Sequence, residues 1–247
     1  MTAELETIAH SSPNHGPRRL PVAMLVLHYT GMESAAAALA RLCDPAAEVS
    51  AHYLIDEDGT AYALVGEDRR AWHAGAGAWR GCRDVNSASI GIELVNPGHD
   101  LGYRAFPEAQ MAALETLCRA ILSRHAIVPR DVVGHSDVAP LRKQDPGECF
   151  DWTRLAAAGI GLVPVAMTAP GRDLGPGDSG EDVERFQAAL ATWGYDLVAD
   201  GHYGPVTAAV VTALQRHFRQ ARCDGRADHE TRAMLAGLLA AAQHRAR

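Results

Sequence analysis

Apolar positions fall into short alternating runs and longer helical stripes. Residues 22–27 (VAMLVL) form an unbroken apolar run rich in strand formers, which predicts a buried strand with His28 at its exit. Residues 34–42 are alanine-rich behind Ser34, a good helix cap, and Asp44-Pro45 ends that helix. Asp58-Gly59 lies between two apolar runs and predicts a hairpin of residues 51–55 and 61–65. In residues 89–95, Ile90, Ile92 and Leu94 alternate with Ser89, Gly91 and Glu93. One side of that strand faces a core, and the small residues on the other leave room for a cavity that Glu93 enters. Met111, Leu114, Leu117, Cys118, Ile121 and Leu122 mark one stripe of a long helix over 107–125. A short strand at 132–133 and a short helix at 152–158 follow. The glycine-rich AWHAGAGAWRG, residues 71–81, predicts a packed loop, and residues 1–20 an extended arm, wrapped on the surface or disordered.

The pattern changes near residue 163, where VPVAMTAPGRDLGPGDSGED carries several Pro and Gly and few element signals. Three helical stripes lie beyond it. Val183, Phe186 and Leu190 mark the first, Val206, Val210, Leu214 and Phe218 the second, and Thr231, Met234, Leu235 and Leu238 the third. Asp200-Gly201 and Asp224-Gly225 are the turns between them. The expected fold is α/β: a mixed central sheet flanked by helices over residues 1–165, a linker over 166–175, and a small separate three-helix domain over 176–247. The tail holds no polar cluster suited to chemistry, so it is expected to tether and not to catalyse.

Composition narrows the function classes. The net charge of −7 and the absence of a dense Lys/Arg run argue against nucleic acid. No apolar run is long enough to cross a bilayer. The five cysteines (Cys43, Cys82, Cys118, Cys149, Cys223) are scattered with no CxxC pair, which predicts reduced thiols. Residues 1–19 lack the basic start and apolar core of a secretory leader, so the expected compartment is the cytoplasm. The periplasm or outer membrane is the alternative if a leader is missing. The chain is expected to act as a monomer.

Candidate chemistry gathers at three places. VVGHSDVAPLRKQD, residues 132–145, puts His135, Lys143 and Asp145 in one loop. Together with His28 this offers two imidazoles and a carboxylate, a normal ligand set for a tetrahedral zinc that keeps one position open. Each of these alone is as readily structural. Glu93 is costly to bury unpaired, so it is either salt-bridged to an arginine such as Arg83 or Arg142, or a general base beside a metal site. Lys143 is either a solvated surface lysine or a stabiliser of a developing oxyanion. Trp72 and His73 suit a cleft wall for sugar or peptide. His52 is core-facing or cleft-lining, and Asn86 joins these as a candidate substrate contact.

LVLHYT, VSAHYLID, AWHAGAGAWRG, NSASIGIELVN and GHSDVAPLRKQDPGECFDW, in that order, resemble the type-2 N-acetylmuramoyl-L-alanine amidases over roughly residues 15–160. These are zinc amidases that share a fold with peptidoglycan recognition proteins. Within the family the chain looks most like the outer-membrane lipoprotein amidases, which also carry a C-terminal helical domain. The tail, LGPGDSGEDVERF…DGHYGPVT…, resembles a peptidoglycan-binding three-helix module. The resemblance implies His28, His135 and Asp145 as ligands of Zn2+, Glu93 as catalytic carboxylate, and Lys143 as its partner near the oxyanion. It implies peptidoglycan or muropeptides as substrate, with the ordinary or anhydro form of the sugar left open. The rival expectations are a module that binds peptidoglycan without cutting it, and a phage-type lysin.

Overall fold

The computed structural model describes residues 5–169 and 171–244. The first four residues of the expected arm, residue 170 of the expected linker and the last three residues of the tail lie outside these. Strands β1 (Thr7–Ala9), β2 (His15–Pro17) and β3 (Met24–Tyr29) come first. Helix α1 (Ala35–Leu42), the hairpin strands β4 (Tyr53–Ile55) and β5 (Ala61–Ala63), and β6 (Arg69–Ala71) follow. Helix α2 (Val85–Ala88) runs directly into β7 (Ser89–Leu94). Then come α3 (Gly98–Leu101), α4 (Glu108–Arg124), β8 (Val132–Gly134), α5 (His135–Val138) and α6 (Trp152–Ala157). The tail holds α7 (Glu181–Trp193), α8 (Pro205–Phe218) and α9 (His229–His244).

The sheet is mixed, as expected, with strand order β1-β5-β4-β7-β3-β8. β3 is parallel to both β7 and β8, while β4 is parallel to β7 and antiparallel to β5. Alternation along the strands sorts residues between the two faces. Leu25 and Leu27 of β3 and Ile90, Ile92 and Leu94 of β7 pack with Met111, Leu114, Leu117, Cys118 and Ile121 of α4. The helical stripe anticipated in the sequence is the one that covers this face. Met24 and Val26 point to the other face, and so do their neighbours Ser89, Gly91 and Glu93. The candidate chemistry lies there.

Of the two alternatives for the N-terminal arm, the structure has the extended, surface-wrapped one over the described residues: β1 pairs with β5, and β2 pairs with β6 in a second, two-stranded sheet. Ser12 and Asn14 are buried and hydrogen-bonded to the Leu42, Asp44 and Val49 carbonyls. Strands of three residues carry no readable periodicity, and here backbone pairing decides. The three-helix module, expected to stand apart, shares one apolar cluster with the sheet. Val26, Trp79, Val133 and Val138 belong to the same cluster as Trp193, Tyr195, Val210 and Leu214. Trp79 meets Tyr195 and Trp193 edge-on, with ring centroids 5.2 and 6.4 Å apart. Gly194 permits this approach, because a Cβ there would lie 2.8 Å from the Trp79 ring. Val206, expected in the helical core, is exposed at the start of α8.

Candidate metal centre and active-site cleft

His28 is the fifth residue of β3, still inside the strand. His135 opens α5 directly after β8, and β8 lies beside β3 in the sheet. The loop after α5 turns back so that the Ser136 amide donates to the Asp145 carbonyl at 2.9 Å. The outcome is a triangle. His28 Nδ1, His135 Nδ1 and Asp145 Oδ2 lie 3.0 Å from one another on every side. All three residues are buried, and they form a group able to hold a metal ion.

Proton bookkeeping tests whether the group fits a cation. His135 Nε2 lies 2.9 Å from the Ala74 carbonyl, an acceptor only, so Nε2–H donates and neutral His135 has a lone pair on Nδ1. Behind His28 stands a chain. Ser89 Oγ donates to the Val85 carbonyl and lies 3.1 Å from His73 Nε2, from which it accepts. His73 Nδ1 is then the acceptor for His28 Nε2–H at 3.0 Å, and His28 Nδ1 is also a lone pair. Three lone-pair atoms therefore converge, an arrangement that needs either a proton or a cation between them. Burial, reinforced by His135, pushes His28 down to about 4, and burial with His28 alongside holds His73 well below the ordinary imidazole value. His28, and His73 behind it, are therefore neutral at neutral pH. Burial works against the Asp145 charge, but His135 and His28 outweigh it and keep the carboxyl well below the usual carboxylate range. Two imidazole nitrogens and an anionic carboxylate oxygen, the histidines backed by hydrogen bonds on their far sides, fit zinc.

Glu93 is the register partner of His28 on β7. Part of its surface faces the cleft, but Oε2 is sealed from solvent and has no hydrogen-bond partner among the described residues. The salt-bridge alternatives do not form: Arg83 pairs with Asp196, and Arg142 donates to the Ala74 and Ala76 carbonyls. Burial first, then the Asp145 charge, raise the Glu93 carboxyl well above its ordinary value, while Lys143 draws it back. Lys143 lines the same cleft, of about 370 Å³, together with Tyr29, Trp72, His73 and Asp145. That volume suits a small-molecule site.

The four candidate substrate residues separate. Trp72 and His73 line the cleft as expected, but His73 also backs His28. His52 does not reach the cleft. It is fully buried, its Nδ1 accepts from the Gly91 amide, and burial with Arg18 beside it lowers it to about 3. Nor does Asn86, whose Oδ1 accepts from the His73 and Ala74 amides at 3.1 and 2.7 Å. His52 thus braces the backbone of β7, and Asn86 the loop that carries His73. The room that Gly91 leaves is filled by the His73 imidazole: a Cβ at Gly91 would sit 2.4 Å from His73 Cγ. A glycine inside an otherwise regular strand is the sequence signal for such an approach.

Known proteins share this arrangement of sheet and tail. Residues 18–148 match the family model described as N-acetylmuramoyl-L-alanine amidase, and residues 179–235 match a peptidoglycan binding domain model. N-acetylmuramoyl-L-alanine amidase AmiD of Escherichia coli (strain K12) is 38% identical over 231 residues, covering 88% of this chain and 82% of that protein. 1,6-Anhydro-N-acetylmuramyl-L-alanine amidase AmpD of Citrobacter freundii is 42% identical over 109 residues, covering 44% of this chain and 56% of that protein. The structure of E. coli AmiD in complex with the substrate anhydro-N-acetylmuramic acid-L-Ala-D-gamma-Glu-L-Lys superposes with a TM-score of 0.78 at 36% identity, covering 93% of this chain and 90% of that one. AmpDh3 of Pseudomonas aeruginosa superposes with a TM-score of 0.72 at 33% identity, covering 88% of this chain and 91% of that one. With a family model over more than half its length and a 38% identical relative covered to 82% of its own, the chain belongs to the N-acetylmuramoyl-L-alanine amidase family and is an enzyme of that class.

Proposed function

We propose that this enzyme hydrolyses the amide between the lactyl group of N-acetylmuramic acid and the L-alanine of a stem peptide, using zinc held by His28, His135 and Asp145. One observation carries the reading. Three lone-pair atoms 3.0 Å apart lie beside a carboxylate whose sealed oxygen has no partner among the described residues. When bound there, zinc would polarise the scissile carbonyl and make a water more acidic. Glu93 takes the proton of the attacking water and passes it to the leaving nitrogen, which departs as the free amine of L-alanine. Its raised proton affinity suits the first transfer. Lys143 lines the cleft, and its ammonium would stabilise the charge that develops on the carbonyl oxygen. Trp72 offers an indole face to sugar or peptide.

The anhydro sugars named in the AmiD and AmpDh3 complexes favour an anhydro-muropeptide as substrate, in cell-wall turnover or recycling. The match of the tail to a peptidoglycan binding domain favours attachment to the sacculus as well. The test is release of free L-alanine amino termini from soluble anhydro-muropeptide and from intact sacculi, with metal-free and zinc-loaded protein. Zinc-dependent release from the soluble substrate is expected. A metal-free protein of full activity removes the zinc role, and binding without release returns the chain to a recognition module.

A further inference from the structure

The three-helix module reaches into the loop that carries two of the three proposed metal ligands. Asp137, two residues past His135, is 1% exposed. Its carboxylate accepts from the Gly134 amide at 2.8 Å, and its other two partners both come from the module. Tyr195 Oη donates to Oδ1 at 2.7 Å, and His217 Nδ1 donates to Oδ2 at 2.8 Å. The His217 ring is stacked on Trp152 with centroids 3.7 Å apart, which fixes its direction. On the far side of the loop, Arg216 Nη2 donates to Gln144 Oε1 at 3.0 Å, one residue before Asp145 and one after Lys143. Gln220, just past α8, donates to the Phe150 carbonyl at 2.8 Å. The module also holds the second loop of the site. The Arg80 amide donates to the Gly194 carbonyl at 2.8 Å, at the far end of the segment that begins with His73 and Ala74.

We propose that the three-helix module is a structural part of the metal site: Tyr195 and His217 are positioning residues that, through Asp137, hold His135 where it can ligate. The inference rests on the reading of His28, His135 and Asp145 as a zinc site. A buried carboxylate deprived of its donors has to find others or reach water, and here either moves α5, which begins at His135. A tail present only to tether would have no reason to supply two of the three hydrogen bonds of a carboxylate inside the catalytic half.

The test uses the full chain. Tyr195→Phe with His217→Phe removes both donors and keeps both rings. Tyr203→Phe is the control, since its hydroxyl bonds the Gly225 carbonyl within the module. Two quantities are measured: zinc affinity by competition with a chelator, and amide hydrogen exchange of residues 134–145 in metal-free protein. The double variant is expected to bind zinc about ten- to a hundredfold more weakly and to exchange faster across 134–145, while Tyr203→Phe does neither. His217→Asn, whose amide nitrogen can stand where Nδ1 stood, is expected to recover most of the loss. Exchange across 134–145 equal to wild type in the double variant overturns the proposal. Should the double variant not fold, Tyr195→Phe and Arg216→Met singly remove one bond each, and unchanged exchange in both overturns it equally. If wild-type protein binds no zinc, the metal reading fails by that result alone, and the exchange comparison still decides the role of the module.

Discussion

His28 and Glu93 stand opposite each other on the parallel strands β3 and β7, in direct register and on the face away from α4. Neighbouring strands lie roughly 4.8 Å apart, so the sheet itself fixes how far the proposed base sits from a proposed ligand. Val26 and Gly91 form the preceding pair on the same face, and the glycine admits the imidazole that backs His28. The proposed ligand and the proposed base are thus placed by two adjacent strands. His73 comes from the loop after β6, and His135, Lys143 and Asp145 from the segment after β8, which is braced from the tail.

Glu93→Gln tests the base directly. The substitution keeps size and shape but removes the proton acceptor. Turnover is expected to fall about a hundred- to ten-thousandfold, with zinc content unchanged because the three ligands are untouched. Because Glu93 Oε2 has no hydrogen-bond partner among the described residues, the melting temperature should hold or rise. A variant of normal single-turnover rate would remove Glu93 from the chemistry.

His135→Ala should abolish stoichiometric zinc binding, and a chelator should silence the wild-type enzyme until zinc is returned. The cavity left among His28, Asp145 and Ala74 cannot rebuild a second nitrogen donor. Metal analysis of the purified variant is the check, and zinc retained at one per chain would mean that the ligand set is drawn wrongly.

The Glu67 cluster should set acid stability. Burial alone would raise this carboxyl, but Arg124, His125 and Tyr53 outweigh it and bring Glu67 from the ordinary 4.5 down to about 2. A carboxyl depressed by folding stabilises fully above its unfolded value and loses that contribution as pH falls from about 4.5 towards 2. Partial exposure discounts the effect to about 1–2 kcal/mol. The melting temperature of the wild type should therefore drop through that window by several degrees more than that of Glu67→Gln. Parallel curves for the two proteins would show that the cluster contributes nothing. The consequence reaches the site, because Arg18, which donates to the Glu67 carbonyl, also donates to the Ser87 and Ser89 carbonyls.

Much of this was legible in the sequence wherever one residue's pattern is its own cause. The alternation in β7 and the stripe on α4 follow from burial on one side, and both elements form within a residue or two of the expected bounds. The Ser34 cap forms as expected, accepting from the Ala37 amide. What was not legible depends on partners distant in sequence. Asp137 looks like any polar loop residue until Tyr195 and His217 arrive from 58 and 80 positions away. His52 and Asn86 look like cleft residues because polar side chains beside a glycine-rich loop commonly are. Their burial follows from backbone amides at Gly91, His73 and Ala74 that need acceptors.

The support behind His28 yields the sharpest test, because it hangs on a missing methyl group. Gly91→Ala adds one carbon at a position 2.4 Å from His73 Cγ, with Nδ1 and Cδ2 at 2.6 and 2.7 Å. His73 is buried against β7, so its ring must shift away from the added carbon and loosen its bond to His28 Nε2. Loss of such a partner typically weakens metal binding about ten- to a hundredfold. The same substitution strains a buried strand, and a lower melting temperature is expected for that reason alone. Ser89→Ala separates the two effects. It removes the acceptor of His73 Nε2–H without adding an atom, so it frees the His73 tautomer while the strand packing stays. Both variants should lose zinc affinity, but Gly91→Ala alone should lose much stability. If Ser89→Ala binds zinc as tightly as wild type, the Ser89–His73–His28 chain has no part in holding the metal, and the effect of Gly91→Ala is one of packing only.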